Sequence, residues 1–396
     1  MPIQLTVFPD ECDTFGHLHQ AAYLSMFERA RWLLLAQGPG MDVFQRAGAW
    51  PAVRRTTIDY HAGAWPGDVL GFDVEVVQRG RTSFTLRQRA VRVGDQRLVA
   101  VAEIVFVCID ANQKPVAVPD EVFAAMSGVQ RIALSTGVTL SVEARGQGGA
   151  ALLLVHGYPF DHSMWRAQLD GIAGHRIIAP DLRGMGESTD PELPAGAATT
   201  LGTHADDLLA LLDALTIPRV VLCGLSMGGY IAFEFLRRYP DRVQALVLMD
   251  TRPGADSAEG RLGRDKAIAL AAQGGAAAIA DSMIGKLLSA AADSAVRDAV
   301  LAMMQRAPVE GIVASLGAMR DRTDATAMLT TIDVPTLIVV GAEDQLTPPD
   351  QATAMATVIP GATLEVIAGA GHVPPMERSR ETNAILQRFL DRVCES

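Results

Sequence analysis

The chain has 396 residues, 49% hydrophobic and 20% charged, with a formal net charge of −11. That composition suits compact globular cores, and the length allows two or three domains. It excludes a nucleic-acid partner, because no lysine or arginine block is present to neutralise phosphates, while an anionic small molecule needs only one or two local cations.

The N-terminus, "MPIQLTVFPDE", reads as a short strand and has no basic region followed by an apolar run. No apolar run approaches the ~20 residues that span a bilayer. Four cysteines, Cys12, Cys108, Cys223 and Cys394, are scattered without a CxxC pair. A reduced, cytoplasmic setting with no membrane association is expected.

Next comes "DECDTFGHLHQAAYLSMFERARW", Asp10 to Trp32. Asp10, Asp13, His17 and His19 lack zinc-type spacing, so no metal site is expected there. A helix is predicted from near Gln20, with Tyr23, Phe27, Ala30 and Leu34 on one stripe and Met26 and Leu33 beside it. "GPG" at 38–40 stops it. The first N–H groups of such a helix are unpaired and would polarise a thioester carbonyl. Asp13, one reach away on the preceding loop, could activate water or attack. His17 reads as a loop-packing residue.

Four β-rich runs follow, from "AVRRTTIDYH" to "QRLVAVAEIVFVCID", separated by the turn signals "GAWPGD", "RGR" and "VGDQ". One helix followed by consecutive strands predicts an α+β domain, an antiparallel sheet wrapped on a helix. Residues 1–128 are assigned to it.

From 129 to 396 the pattern changes. "ALLLVHG", "RIIAPD", "RVVLCG", "ALVLMD" and "TLIVVG" are short continuous apolar runs, most of them leading into helical segments. That pattern predicts a mostly parallel sheet with helices on both faces. Residues of about 252–330 form an alanine- and methionine-rich helical insert, read as a lid. Met283, Met303 and Met304 either line a pocket there or simply pack.

Inside the second region, "GLSMG" (224–228) fits G-x-S-x-G between a strand and a helix. Ser226 is therefore the candidate nucleophile. His372 in "GAGHVPP" is the candidate base, and Asp344 in "GAEDQLT" the candidate acid, with Asp250 its rival one strand earlier. The N–H groups of Met227 and Tyr158 are candidate oxyanion donors. His156, Asp181 and Arg183 read as structural.

These motifs, with "HGYPFDHSMWRAQL", "APDLRGMGES" and "GHVPPMERS", resemble the α/β-hydrolase superfamily, in the branch of 3-oxoadipate enol-lactonases and carboxylesterases. The resemblance implies ester or lactone hydrolysis through an acyl-enzyme. An aspartate in place of Ser226 would be needed for haloalkane dehalogenase chemistry. "CDTFGHLHQAAYLSMFERARW", "IDYHAGAWPGDVLGFDVEV" and "RTSFTLRQRAV" are similar to hotdog-fold thioesterases of the 4-hydroxybenzoyl-CoA type. That resemblance implies acyl-CoA cleavage by Asp13, a carbonyl-polarising N–H at Gln20, and at least a homodimer. His19-Gln20 stands where many members carry an Asn-Asn or aromatic pair, which changes the pocket wall.

The leading expectation is a fused two-site hydrolase with no metal or organic cofactor. The alternatives are a single serine esterase whose front domain only dimerises or binds acyl groups, and a non-hydrolytic ligand-binding protein.

Overall fold

The computed structural model describes residues 3–37, 40–95, 97–146, 148–188 and 199–395. The expected helix stop at Gly38 and Pro39 and the turn position Gln96 lie outside them. The chain divides into two compact units, Met1–Gln130 and Arg131–Ser396.

The first unit runs β1 (Ile3–Thr6), α1 (Gln20–Gln37), α2 (Asp42–Ala47), β2 (Trp50–Tyr60), β3 (Val69–Arg79), β4 (Ser83–Arg92), β5 (Arg97–Ile109) and α3 (Asp120–Ser127). Its five strands form one antiparallel sheet in the order β1-β3-β4-β5-β2. Burial alternates along β4 and β5 because successive side chains point to opposite faces. Phe84, Leu86, Ile104 and Phe106 share a core with Tyr23, Met26, Phe27 and Ala30 of α1. Phe27 meets Phe72 edge-on at 5.4 Å.

Leu33 departs from its predicted place beside the stripe: it is 40% exposed, while Leu35 is fully buried. The last turns of α1 pack beside α3 and, through Trp32 and Phe44, beside α2, which swings the buried side towards Leu35. Arg31 of the same helix is buried and donates to the Gln88 side chain at 2.5 Å. Burial pushes its guanidinium down to about 10.

The second sheet has eight strands in the order β13-β12-β11-β10-β8-β9-β7-β6. They are β6 (Val129–Ala133), β7 (Thr139–Arg145), β8 (Ala151–Val155), β9 (Arg176–Pro180), β10 (Val220–Leu225), β11 (Val243–Met249), β12 (Thr336–Gly341) and β13 (Thr363–Ile367). Strands β9, β8, β10, β11, β12 and β13 pair in parallel, and β7 pairs with β9 antiparallel. Alternate residues feed two separate cores. Leu153, Val155, Leu222 and Leu246 face one cluster; Leu152, Leu154, Val221 and Val247 face the other. A strand buried on both sides carries no polar alternation, which is why these segments read as continuous apolar runs.

The helices are α4 (Arg166–Gly171), α5 (Leu201–Ala214), α6 (Met227–Arg238), α7 (Ala258–Leu287), α8 (Ser294–Gln305), α9 (Val309–Arg320), α10 (Pro349–Val358), α11 (Pro374–Glu377) and α12 (Ser379–Glu395). Helices α7, α8 and α9 fill the stretch between β11 and β12. By length and composition alone α7 contains an 18-residue window apolar enough to cross a membrane, with a mean hydropathy of 1.4. The sequence reading missed this because alanine carries the value in place of a run of large aliphatics. Gly275, with φ 69° and ψ −167°, breaks the helix into two pieces, and α8 and α9 pack against it.

Candidate active sites

Ser226 sits between β10 and α6 with φ 55° and ψ −112°, a strained conformation for a non-glycine residue. Its N–H donates to Met249 C=O at 2.9 Å, and its own carbonyl accepts from Gly229 N–H at 2.9 Å and from the Thr251 hydroxyl at 2.8 Å. Three glycines let the chain pass this closely. A Cβ on Gly224 would lie 2.2 Å from Gly228 O, one on Gly228 2.2 Å from Val155 O, and one on Gly229 2.3 Å from Thr251 Oγ1.

The turn consumes the N–H groups of Ser226, Gly229 and Tyr230; that of Met227 takes part in none of these bonds. After β8, Phe160 N–H closes a turn onto Gly157 O at 3.0 Å, and Tyr158 N–H stands outside it. His156 is buried and fixes this loop. Its Nε2 accepts from Leu182 N–H at 2.9 Å, so its Nδ1 donates to Gly157 O at 2.8 Å. Burial lowers its pKa, which keeps the ring neutral.

His372 and Asp344 are both buried, with His372 Nδ1 2.8 Å from Asp344 Oδ2. Asp344 also accepts from the Thr347 hydroxyl at 2.6 Å and from Leu346 N–H at 2.8 Å. Burial raises the Asp344 carboxyl, but His372 and these donors outweigh it and hold it below the usual range. The rival acid, Asp250, directly follows β11 and lies close beside the pair. Its Oδ1 accepts from Gly341 N–H at 2.9 Å. Burial and then the Asp344 charge push its carboxyl well above the usual range.

Ser226 and His372 line one cavity of about 180 Å³ with Tyr158, Tyr230, Met283 and Met319. Met303 and Met304 are packed in the core instead. A larger cavity, about 610 Å³, is bounded by Thr200, Glu234 and Asp321 and is lined by none of Ser226, His372 and Asp344. Asp181 accepts from His162 and from Glu187 N–H, and Arg183 forms a two-pronged pair with Asp207 at 2.7 Å. Both are structural ties.

In the first unit, Asp13 Oδ1 accepts from Phe15 N–H at 2.9 Å and from His17 N–H at 3.1 Å. The His17 and Phe15 N–H groups hold its carboxyl below the usual range against some desolvation. Gly16, at φ 80°, makes the turn. His17 packs edge-on against Trp65. His19 Nδ1 accepts from Ala21 N–H at 3.0 Å and its carbonyl accepts from Ala22 N–H at 2.9 Å. Gln20 N–H takes part in neither bond. Sequence reasoning had not given His19 this capping role.

Comparison with known proteins fits these two units. The chain belongs to the alpha/beta hydrolase fold family, which it matches over residues 150–379. Residues 7–126 match the thioesterase-like superfamily, so a thioesterase-like domain precedes the hydrolase domain. The AB hydrolase superfamily protein YisY of Bacillus subtilis (strain 168) is 31% identical over 263 residues, covering 64% of this chain and 95% of its own. The 3-oxoadipate enol-lactonase 1 of Acinetobacter baylyi is 27% identical over 241 residues, 56% of this chain and 83% of its own. A thermophilic esterase from Thermogutta terrifontis superposes with a TM-score of 0.63 at 37% identity, covering 67% of this chain and 99% of its own.

Proposed function

We propose that the hydrolase domain cleaves a carboxylic ester or lactone through a covalent acyl-enzyme on Ser226. The observation that carries this reading is the shared cavity of Ser226 and His372, with Asp344 behind the imidazole. In this scheme Ser226 Oγ attacks the carbonyl carbon while His372 Nε2 takes its proton. Met227 and Tyr158 N–H groups stabilise the oxyanion, worth several kcal/mol together by a rough estimate. The C–O bond then breaks, and His372 returns the proton to the leaving alkoxide. Water attacks the acyl-enzyme by the same route and frees the acid.

The thioesterase-like domain is read as a second site, acting on an acyl-CoA thioester. Asp13 Oδ2 would activate water or attack, and Gln20 N–H would polarise the carbonyl. A second reading keeps the first domain as a dimerisation or acyl-binding module. Its support is that Asp13 Oδ1 is already committed to its own turn.

Both readings include a homodimer through the first domain. Among the described residues, ten of the fourteen exposed large apolar side chains lie between Phe8 and Trp65, three of them on edge strand β2. Such a surface suits a second copy.

The test is acyl-CoA hydrolysis by the Ser226→Ala protein, read as free CoA across short, long and aromatic acyl groups. Ester cleavage should fall by at least about 10³-fold. Thioester cleavage should survive and then disappear on adding Asp13→Asn. Loss of all thioester cleavage in Ser226→Ala alone would leave the first domain as a module.

A further inference from the structure

We propose that the serine cavity selects an ester or lactone that itself bears a carboxylate, bound by Arg252 and Arg264 a few bonds from the scissile carbonyl. This rests on the Ser226 reading above and names its substrate class. Both arginines line the same cavity as Ser226 and His372. A second space of about 490 Å³ shares Tyr158, Arg252, Arg264, Met283 and Leu346 with it and adds Lys286. The two arginines therefore border both spaces.

Their charge is undercompensated. Asp256 is the shared partner, 2.9 Å from Arg252, 3.0 Å from Arg264 and 2.8 Å from Arg322. One carboxylate thus faces three guanidiniums. Arg322 is spent on structure: it also donates to Gly254 O and Met319 O and lies over the Tyr230 ring. Arg252 gives Asp256 only Nη2, and its Nε is buried without a partner among the described residues. Arg264 gives Asp256 only Nε, and among the described residues no hydrogen bond engages its two terminal nitrogens, which a ligand could take. A pocket meant for a plain alkyl chain has no use for cations at this point. A carboxylate there would gain charge-assisted, two-pronged hydrogen bonds, the strong kind.

The test compares methanol release from monomethyl glutarate and from methyl pentanoate, two esters matched in chain length. Wild type should favour the glutarate ester in kcat/KM by about tenfold or more, the scale of a hydrogen bond to a charged group. Arg252→Gln and Arg264→Gln should each cut that ratio severalfold, and Arg264→Lys should restore part of it. Free glutarate should compete with methyl pentanoate in the wild-type protein, a readout that needs no variant. A wild-type preference for methyl pentanoate, or no competition by glutarate, overturns the proposal even if a variant fails to fold. A ratio unchanged in folded glutamine variants overturns it too. Ser226→Ala tells the two readings apart: if it still cleaves both esters at the wild-type rate, the serine assignment itself fails.

Discussion

Asp250 and Asp344 follow neighbouring strands, β11 and β12, and the imidazole of His372 meets Asp344. Their surroundings push them in opposite directions, Asp250 up and Asp344 down. Asp344→Asn should therefore cost about 10³–10⁴-fold in kcat for ester hydrolysis, because the imidazolium loses its partner and the tautomer is wrong. Asp250 accepts from Gly341 N–H and not from the imidazole, so Asp250→Asn can keep its bond and should stay within about tenfold. Equal losses in the two variants would make the acid assignment untenable. His162 offers a second test at this scale. Burial alone would lower it, but Asp181, Glu143 and Asp161 override that and hold it up at about 9. Its folded pKa exceeds its unfolded value, so its stabilisation is complete below about pH 6.5 and is lost as pH rises through about 9. Melting temperatures of wild type and His162→Asn should converge across that window; a constant gap would refute the role. Ser226, His372 and Asp344 could be picked out as candidates because each sits in a short local pattern beside a strand. The sequence hid Arg31 with Gln88 and Asp256 with Arg322, because those pairs join residues about sixty apart, with no local pattern to announce them.

At the scale of elements, the turn from β10 into α6 depends on glycine more than on serine. Gly228→Ala would press a methyl against the Val155 carbonyl, which belongs to β8 and has little room to retreat. The expected cost is about 1–3 kcal/mol, seen as a lower melting temperature. Activity should fall further than stability, because the loop after Val155 carries Tyr158. An unchanged melting temperature would show that the strand gives way more easily than its burial suggests. The alternating first-unit strands and the continuous second-unit strands were both legible, since the number of buried faces writes itself into the apolar period. The swing of buried surface from Leu33 to Leu35 was not, because it comes from α2 and α3 and not from the helix's own periodicity.

For the whole molecule, the apolar residues exposed between Phe8 and Trp65 make a mass prediction. Light scattering should give the full chain at least twice its 42.1 kDa, and Val53→Glu on edge strand β2 should shift it towards the monomer. A monomeric wild type would end the dimer reading. The fusion of two fold classes was legible from the change in strand pattern near residue 129, whereas the meeting of Arg252 and Arg264 with Ser226 and His372 in one cavity needed the fold. The break at Gly275 bears on that cavity as well. Arg264 and Ala267 lie before the break, Ile279, Met283 and Lys286 after it, and all five face the same space. One wall of that space is thus a single helix in two pieces, set at an angle by one glycine. A side chain at Gly275 would be strained at φ 69°, so a substitution there bears on the angle between the two pieces without filling the space itself.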